Sequence, residues 1–96
     1  MAYVYLVRCC DGTFYAGYAE DLTRRVAAHN AGRGAKYTRS RRPVALVYSE
    51  ELPGKSEALR REAQLKKLSH AEKALLAQKE REGTRLEKEV QNSPVS

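Results

Sequence analysis

The sequence predicts a small α+β domain (α/β in the broad sense), a three-stranded antiparallel sheet flanked by helices in the order β-β-α-β-α-α. Three observations predict it. The chain has 96 residues, 42% of them hydrophobic, enough for one core and one domain. A chain this short buries only about 60–65% of its unfolded surface. Asp11-Gly12 stands between two runs of β-branched and aromatic residues, the strongest short hairpin signal. A third such run follows Pro43, with capped helical stretches before and after it.

The elements follow in order. Tyr3-Val-Tyr-Leu-Val7 reads as a strand, and Thr13-Phe-Tyr-Ala-Gly17 as its short partner. Asp21 is an N-cap for a helix over Leu22 to Asn30, with Leu22 and Val26 on one face. Gly32 and Gly34 end that helix. Residues 32–42 form a basic loop closed by Pro43, and Val44-Ala-Leu-Val-Tyr48 is the third strand. Pro53-Gly54 breaks the chain, and Ser56 caps a second helix running to about Leu68. Ser69-His-Ala-Glu72 fits a capping box and starts a third helix. The domain is expected over 1–80, followed by a polar, partly disordered tail over 81–96. No internal repeat is present.

Composition excludes several classes. No apolar run approaches the ~20 residues a membrane span needs. Met1 to Val7 lacks a basic leader and is followed by Arg8, so it does not read as a secretory signal. Cys9 and Cys10 are adjacent and form no disulfide framework, which suits a reducing cytoplasm. They read as structural thiols rather than nucleophiles, and a monomer is favoured.

The net charge of +6 is unevenly placed. Residues 1–21 sum to −2 and residues 50–96 to +1. Residues 22–49 carry seven cations and no acid, namely Arg24, Arg25, Arg33, Lys36, Arg39, Arg41 and Arg42. A stretch of one sign calls for an anionic partner, nucleic acid first.

Five residues depart from ordinary patterning. Glu62 lies four after Ala58 and three before Leu65, so a carboxylate sits on the packing face of the second helix. A buried charge needs a partner. The alternatives are a salt bridge to Arg25 or a neighbouring Lys, and a metal. Arg25 and His29 share one helix face bordering the apolar stripe. Together they can hold a phosphate and move a proton, or they are surface cations favoured by the helix dipole. A metal pair of His29 and His70 has no support in spacing. Tyr5 and Tyr15 lie on paired strands. A two-residue turn puts them on opposite faces, whereas a three-residue turn, Asp11-Gly12-Thr13, puts them on one face. A shared site therefore predicts the longer turn or a bulge.

Together these residues resemble a known family. Tyr3-Val4-Tyr5 followed by Tyr15-Ala16-Gly17 looks like the paired motif of the GIY-YIG nuclease superfamily, with Tyr3 and Val4 in place of Gly and Ile. The helix from Asp21 to Asn30 resembles that family's Arg-bearing helix. Gly34-Ala-Lys-Tyr-Thr-Arg39, Arg41-Arg-Pro43 and Lys55-Ser-Glu-Ala58 resemble its small stand-alone bacterial members, the YhbQ-like group. Arg61-Glu62 matches the family's metal-binding Glu. The resemblance covers roughly residues 2–80. One departure stands out. Many members carry a further Asn after the Glu helix, and Ser69 to Gln78 holds none.

The resemblance implies DNA phosphodiester hydrolysis with one divalent cation, Mg²⁺ or Mn²⁺. By matching positions, the catalytic set is Tyr5, Tyr15, Arg25, His29 and Glu62, with Glu62 the metal ligand. In this reading Arg25 contacts the phosphate, and Tyr5 activates or orients water. A phenol near pKa 10 is a poor base, so a nearby metal and guanidinium lower it or His29 takes its proton. Tyr15 orients water or phosphate. The basic loop, with Arg33, Lys36, Arg39, Arg41 and Arg42, tracks the backbone, and Tyr37 stacks on an unpaired base. The expected activity is that of an endonuclease on single-stranded, branched or damaged DNA, with a place in DNA repair. The alternatives are a DNA- or RNA-binding module with weak or no catalysis, and a partner-binding subunit using the charged third helix.

Overall fold

A computed structural model describes residues 1–80. Strands β1 (Ala2–Arg8) and β2 (Phe14–Ala19) form a hairpin, and β3 (Ala45–Leu52) pairs with the free side of β1. The sheet is antiparallel throughout, in spatial order β2-β1-β3. Helix α1 (Leu22–Asn30) and the one-turn α2 (Lys36–Arg39) lie between β2 and β3. Helix α3 (Lys55–Lys66) follows β3, and residues 70–80 form α4. The predicted order holds, with α2 a single turn set inside the expected basic loop. The tail expected over 81–96 lies outside the described residues.

The strands run further than their apolar stretches, because each added ladder pair satisfies backbone groups that would otherwise need water. Asp21 caps α1 as expected, its carboxylate accepting the Arg24 N–H at 3.0 Å. Ser69 and Glu72 close the expected capping box, with reciprocal bonds of 2.9 and 3.2 Å. The start of α3 differs from expectation. Gly54, not Ser56, is the N-cap, and the helix stops at Lys66. The turn at Pro53-Gly54 feeds straight into the helix, and glycine is tolerated at that position.

The hairpin decides which side chains meet. Tyr5 pairs with Gly17 and Val7 with Tyr15. The Cys9 N–H donates to the Thr13 carbonyl at 2.8 Å, and the Gly12 N–H to the Cys9 carbonyl at 2.9 Å. The connection is therefore three residues, Cys10-Asp11-Gly12, one position earlier than expected. Gly12 supplies the left-handed φ of +84° that closes it. This shift preserves parity, so Tyr5 and Tyr15 fall on one face.

Central β1 is buried on both faces, which is why its sequence is apolar at nearly every position. Val4 and Leu6 pack with Ala16 beneath Ala58 and Leu65 of α3. Tyr5 and Val7 pack with Ala19 and Val44 beneath Leu22 and Val26 of α1. The result is three layers, with the sheet between α1 and the α3–α4 pair. Among the described residues no helix is long and apolar enough to cross a membrane.

Arg61 ties α3 to the sheet edge through an ion pair with Glu50 at 2.9 Å, and the Tyr48 hydroxyl donates to the same carboxylate. Burial pushes the Glu50 carboxyl up, but the bonds from Arg61 and Tyr48 outweigh it and hold it below its usual 4.5. A carboxyl lowered by folding adds stability above its unfolded pKa, and loses it as pH falls through the folded value. Glu50→Ala should lower the unfolding free energy by about 1–3 kcal/mol at pH 7. Urea titration should show that difference shrinking as pH drops below the usual carboxyl range.

Candidate active site

The site is built on the α1 side of the sheet. Strand β1 presents Tyr5, and β2 presents Tyr15 beside it. In the last turn of α1, His29 is 1% exposed. Its Nε2 lies 2.8 Å from the Tyr5 hydroxyl, and its Nδ1 lies 2.8 Å from Oγ1 of Thr38. The rings of Tyr15 and Tyr5 meet His29 edge-on, at 5.4 and 5.9 Å. A buried imidazole and phenol are tolerated because each is the other's hydrogen-bond partner.

Two glycines make room for this pair. A Cβ on Gly17 would lie 2.5 Å from Cζ of Tyr5. A Cβ on Gly34 would lie 2.7 Å from Cγ of His29. The Tyr5 ring therefore lies against the backbone of its cross-strand neighbour, and the chain after α1 runs directly over the imidazole.

Electrostatics tie the other candidates to the same phenol. Burial pushes Tyr5 far above its ordinary value of 10.0, and the neighbouring Tyr15 adds to the rise. The Arg25 guanidinium draws it back, and the Glu62 carboxylate raises it. Arg25 thus acts in the expected direction, but burial overrules it. Burial, and then Arg25, lower His29 below its ordinary 6.5. At neutral pH the site holds a neutral phenol against a neutral imidazole. All five sequence candidates therefore interact with Tyr5 or are Tyr5 itself.

Arg25 is exposed, one turn before His29. It lines an open cleft of about 540 Å³ together with Tyr18, Asp21, Arg24, Arg33 and Lys55. Four cations thus face this cleft, against the acids Glu20 and Asp21. On α3, the Glu62 side chain is 19% exposed and lies 3.8 Å from Nζ of Lys66. Of the two expected salt-bridge partners, the neighbouring Lys is the one present. Among the described residues no three His, Cys, Asp or Glu side chains gather as a metal cluster. His70 is at the hairpin turn, where its Nε2 donates to the Gly12 carbonyl at 3.0 Å. It forms no pair with His29.

The basic segment divides into free and fastened cations. Tyr37 stacks on Tyr15 at 5.9 Å, and the Arg41 guanidinium lies over its ring at 3.9 Å. These contacts fasten the Tyr37 ring in place while leaving it 38% exposed. Arg41 also pairs with Asp11 at 3.1 Å and donates to the Tyr37 carbonyl at 2.8 Å. Arg42 donates to the carbonyls of Arg39 and Asn30, at 2.9 and 3.4 Å. These two arginines hold the segment to the hairpin turn and to α1. Arg33, Lys36 and Arg39 are exposed.

Sequence reasoning missed Thr38, Gly34 and Lys55, and counted Arg24 only among the seven cations of residues 22–49. Thr38 is fully buried, yet it belongs to a stretch read as an irregular cationic loop. Its one mark in the sequence is that Thr38 is the only β-branched residue between 32 and 42, which does not say what it touches.

A family model described as the GIY-YIG catalytic domain matches residues 1–75. A UPF0213 protein of Halobacterium salinarum is 57% identical over 76 residues, covering 79% of this chain and 99% of that protein. A UPF0213 protein of Staphylococcus saprophyticus is 53% identical, over 77% of this chain and 90% of that one. The solution NMR structure of the UPF0213 protein BH0048 from Bacillus halodurans is 46% identical, with a TM-score of 0.51. That match covers 81% of this chain and 84% of that one. These relatives' names state no substrate or ion, while the domain match points to nuclease chemistry and nucleic-acid binding.

Proposed function

The chain belongs to the GIY-YIG catalytic-domain family, and from that premise we propose that it is a divalent-metal-dependent DNA endonuclease. It hydrolyses phosphodiester bonds in single-stranded, branched or damaged DNA. The observation that carries this reading is the Tyr5 phenol. It is bonded to a buried neutral imidazole and lies within electrostatic reach of an exposed arginine and a half-buried carboxylate.

Mg²⁺ or Mn²⁺ fits the donor set. Glu62 would hold the ion, since its only ion-pair partner among the described residues is the loosely placed Lys66. A hard cation that keeps several waters tolerates a single carboxylate. When bound, such an ion supplies Lewis-acid stabilisation of charge at the phosphate and the leaving oxygen.

The remaining work falls to the chain's own groups. Arg25 binds the scissile phosphate and stabilises the charge that builds up on it. Tyr5 orients the attacking water and accepts its proton, while its own proton passes to Nε2 of His29, 2.8 Å away. A phenol raised this far is no standing base, so the relay through His29 is required. Tyr15 orients water or phosphate. Arg24, Arg33, Lys36, Arg39 and Lys55 hold the backbone, with Tyr37, Arg41 and Arg42 as the scaffold of that surface.

Incubating labelled single-stranded, duplex and branched DNA with Mg²⁺, Mn²⁺ or chelator tests the proposal. The expected result is cutting that chelator abolishes, with DNA affinity falling steeply as salt rises. Salt-sensitive binding with no cutting would move the reading to a nucleic-acid-binding module.

A further inference from the structure

We propose that Thr38 is a positioning residue, whose hydroxyl holds His29 in the tautomer protonated on Nδ1 and so leaves Nε2 free to take the proton of Tyr5. Its catalytic consequence rests on the nuclease reading above, whereas the tautomer does not.

The argument is a count of hydrogens. Thr38 is fully buried on α2. Its Oγ1 lies 3.0 Å from the Ala35 carbonyl and 2.8 Å from Nδ1 of His29. A hydroxyl has one hydrogen, and a carbonyl can only accept. The Thr38 hydrogen therefore goes to Ala35, the back-bond to the i−3 carbonyl that threonine commonly makes. On that assignment Thr38 offers Nδ1 a lone pair, and Nδ1 carries the hydrogen. A neutral imidazole has one N–H, which leaves Nε2 as an acceptor facing the Tyr5 hydroxyl.

The Ala35 N–H also faces Nδ1, at 3.4 Å, the longest contact around the ring. The reverse assignment would let Nδ1 accept from both Ala35 and Thr38. It would also leave the Thr38 oxygen 3.0 Å from the Ala35 carbonyl with no hydrogen between them. The Ala35 carbonyl also accepts the Thr38 and Arg39 N–H groups at 3.2 Å, and the Nδ1–H tautomer gives up the 3.4 Å bond from the Ala35 N–H; the two shorter contacts, at 2.8 and 3.0 Å, decide for it. The reverse assignment would also aim an N–H at Tyr5 and block the relay.

This assignment gives α2 a purpose. Gly34 lets the chain cross the imidazole without a Cβ in the way. One helical turn then sets Ala35 and Thr38 in line, and Tyr37 beside them stacks on Tyr15. In the reaction, the water oxygen bonds to phosphorus and its proton moves to Tyr5. The Tyr5 proton moves to Nε2, and the electron pair of the broken P–O bond leaves on the departing oxygen. The resulting imidazolium already has its Nδ1–H accepted by Thr38, in a chain that ends on a carbonyl.

The test compares wild type, Thr38→Val and Thr38→Ser as full-length protein. The imidazole ¹⁵N shifts and one-bond N–H couplings of His29 report the tautomer without any activity. Wild type and Thr38→Ser should carry the proton on Nδ1. Thr38→Val, which keeps the shape and removes the acceptor, should move it toward Nε2. Cleavage with Mg²⁺ should fall about 10²-fold in Thr38→Val, stay near wild type in Thr38→Ser, and leave DNA affinity unchanged in both. A wild-type proton on Nε2 overturns the proposal whatever the activity, and this holds even if Thr38→Val fails to fold. Full cleavage by a folded Thr38→Val also overturns it. An Nδ1 proton in a wild type that cuts nothing supports the tautomer and removes the nuclease reading instead.

Discussion

Gly17→Ala should abolish cleavage and lower the unfolding free energy by about 2–6 kcal/mol. The added Cβ would sit 2.5 Å from Cζ of Tyr5, inside any real contact distance. Tyr5 on central β1 and Gly17 on edge strand β2 are ladder partners, so the backbone cannot open without breaking that ladder. The ring must move instead. Overpacking alone costs about 1–3 kcal/mol. Moving the ring also leaves Nε2 of His29 buried and unpaired, about 1–3 kcal/mol more. For a domain of this size the thermal midpoint should fall by about 10 °C or more. Gly12→Ala is the control. Its Cβ meets nothing within 4 Å, so only the left-handed backbone is strained. That variant should lose about 1 kcal/mol and still cut DNA. Circular-dichroism melts and a cleavage assay on both variants decide the matter. Wild-type cutting by Gly17→Ala would show that the Tyr5 ring is not needed where it stands.

Tyr5→Phe should reduce cleavage about 10²–10⁴-fold with DNA affinity unchanged. The substitution keeps the ring against Gly17 and removes only the hydroxyl. The water then has no phenol to take its proton, and His29 has no donor at Nε2. The same orphaned nitrogen should cost about 1–3 kcal/mol of stability. Single-turnover cleavage, fluorescence anisotropy and urea unfolding separate the three effects. A Tyr5→Phe variant that cuts at the wild-type rate would contradict the relay.

Much of this arrangement is legible in the residues. The run from Tyr3 to Val7 is apolar at every position because β1 is covered on both faces. The parity that joins Tyr5 to Tyr15 follows from turn length alone, although the turn sits one residue earlier than read. Asp21 and the Ser69–Glu72 box were legible because a cap acts on its own first turn. Thr38 was not, since its partner is nine residues away and a single turn has no periodicity to betray it. The fastening of Tyr37 was hidden for the same reason. It depends on Tyr15 and on Arg41, which are brought together only by the folded sheet. Spacing puts the Glu62 carboxylate on the packing face of its helix, where the side chain is 19% exposed, yet it could not say that the neighbour would be Lys66 rather than Arg25.

The most direct measurement compares cleavage and DNA affinity for wild type and Glu62→Ala, each with Mg²⁺, Mn²⁺ and chelator, on single-stranded, duplex and branched DNA. The expected result is cation-dependent cutting by wild type, lost in Glu62→Ala while affinity is kept. Equal cutting by both proteins, or cutting that survives chelation, would contradict a metal-dependent centre at Glu62.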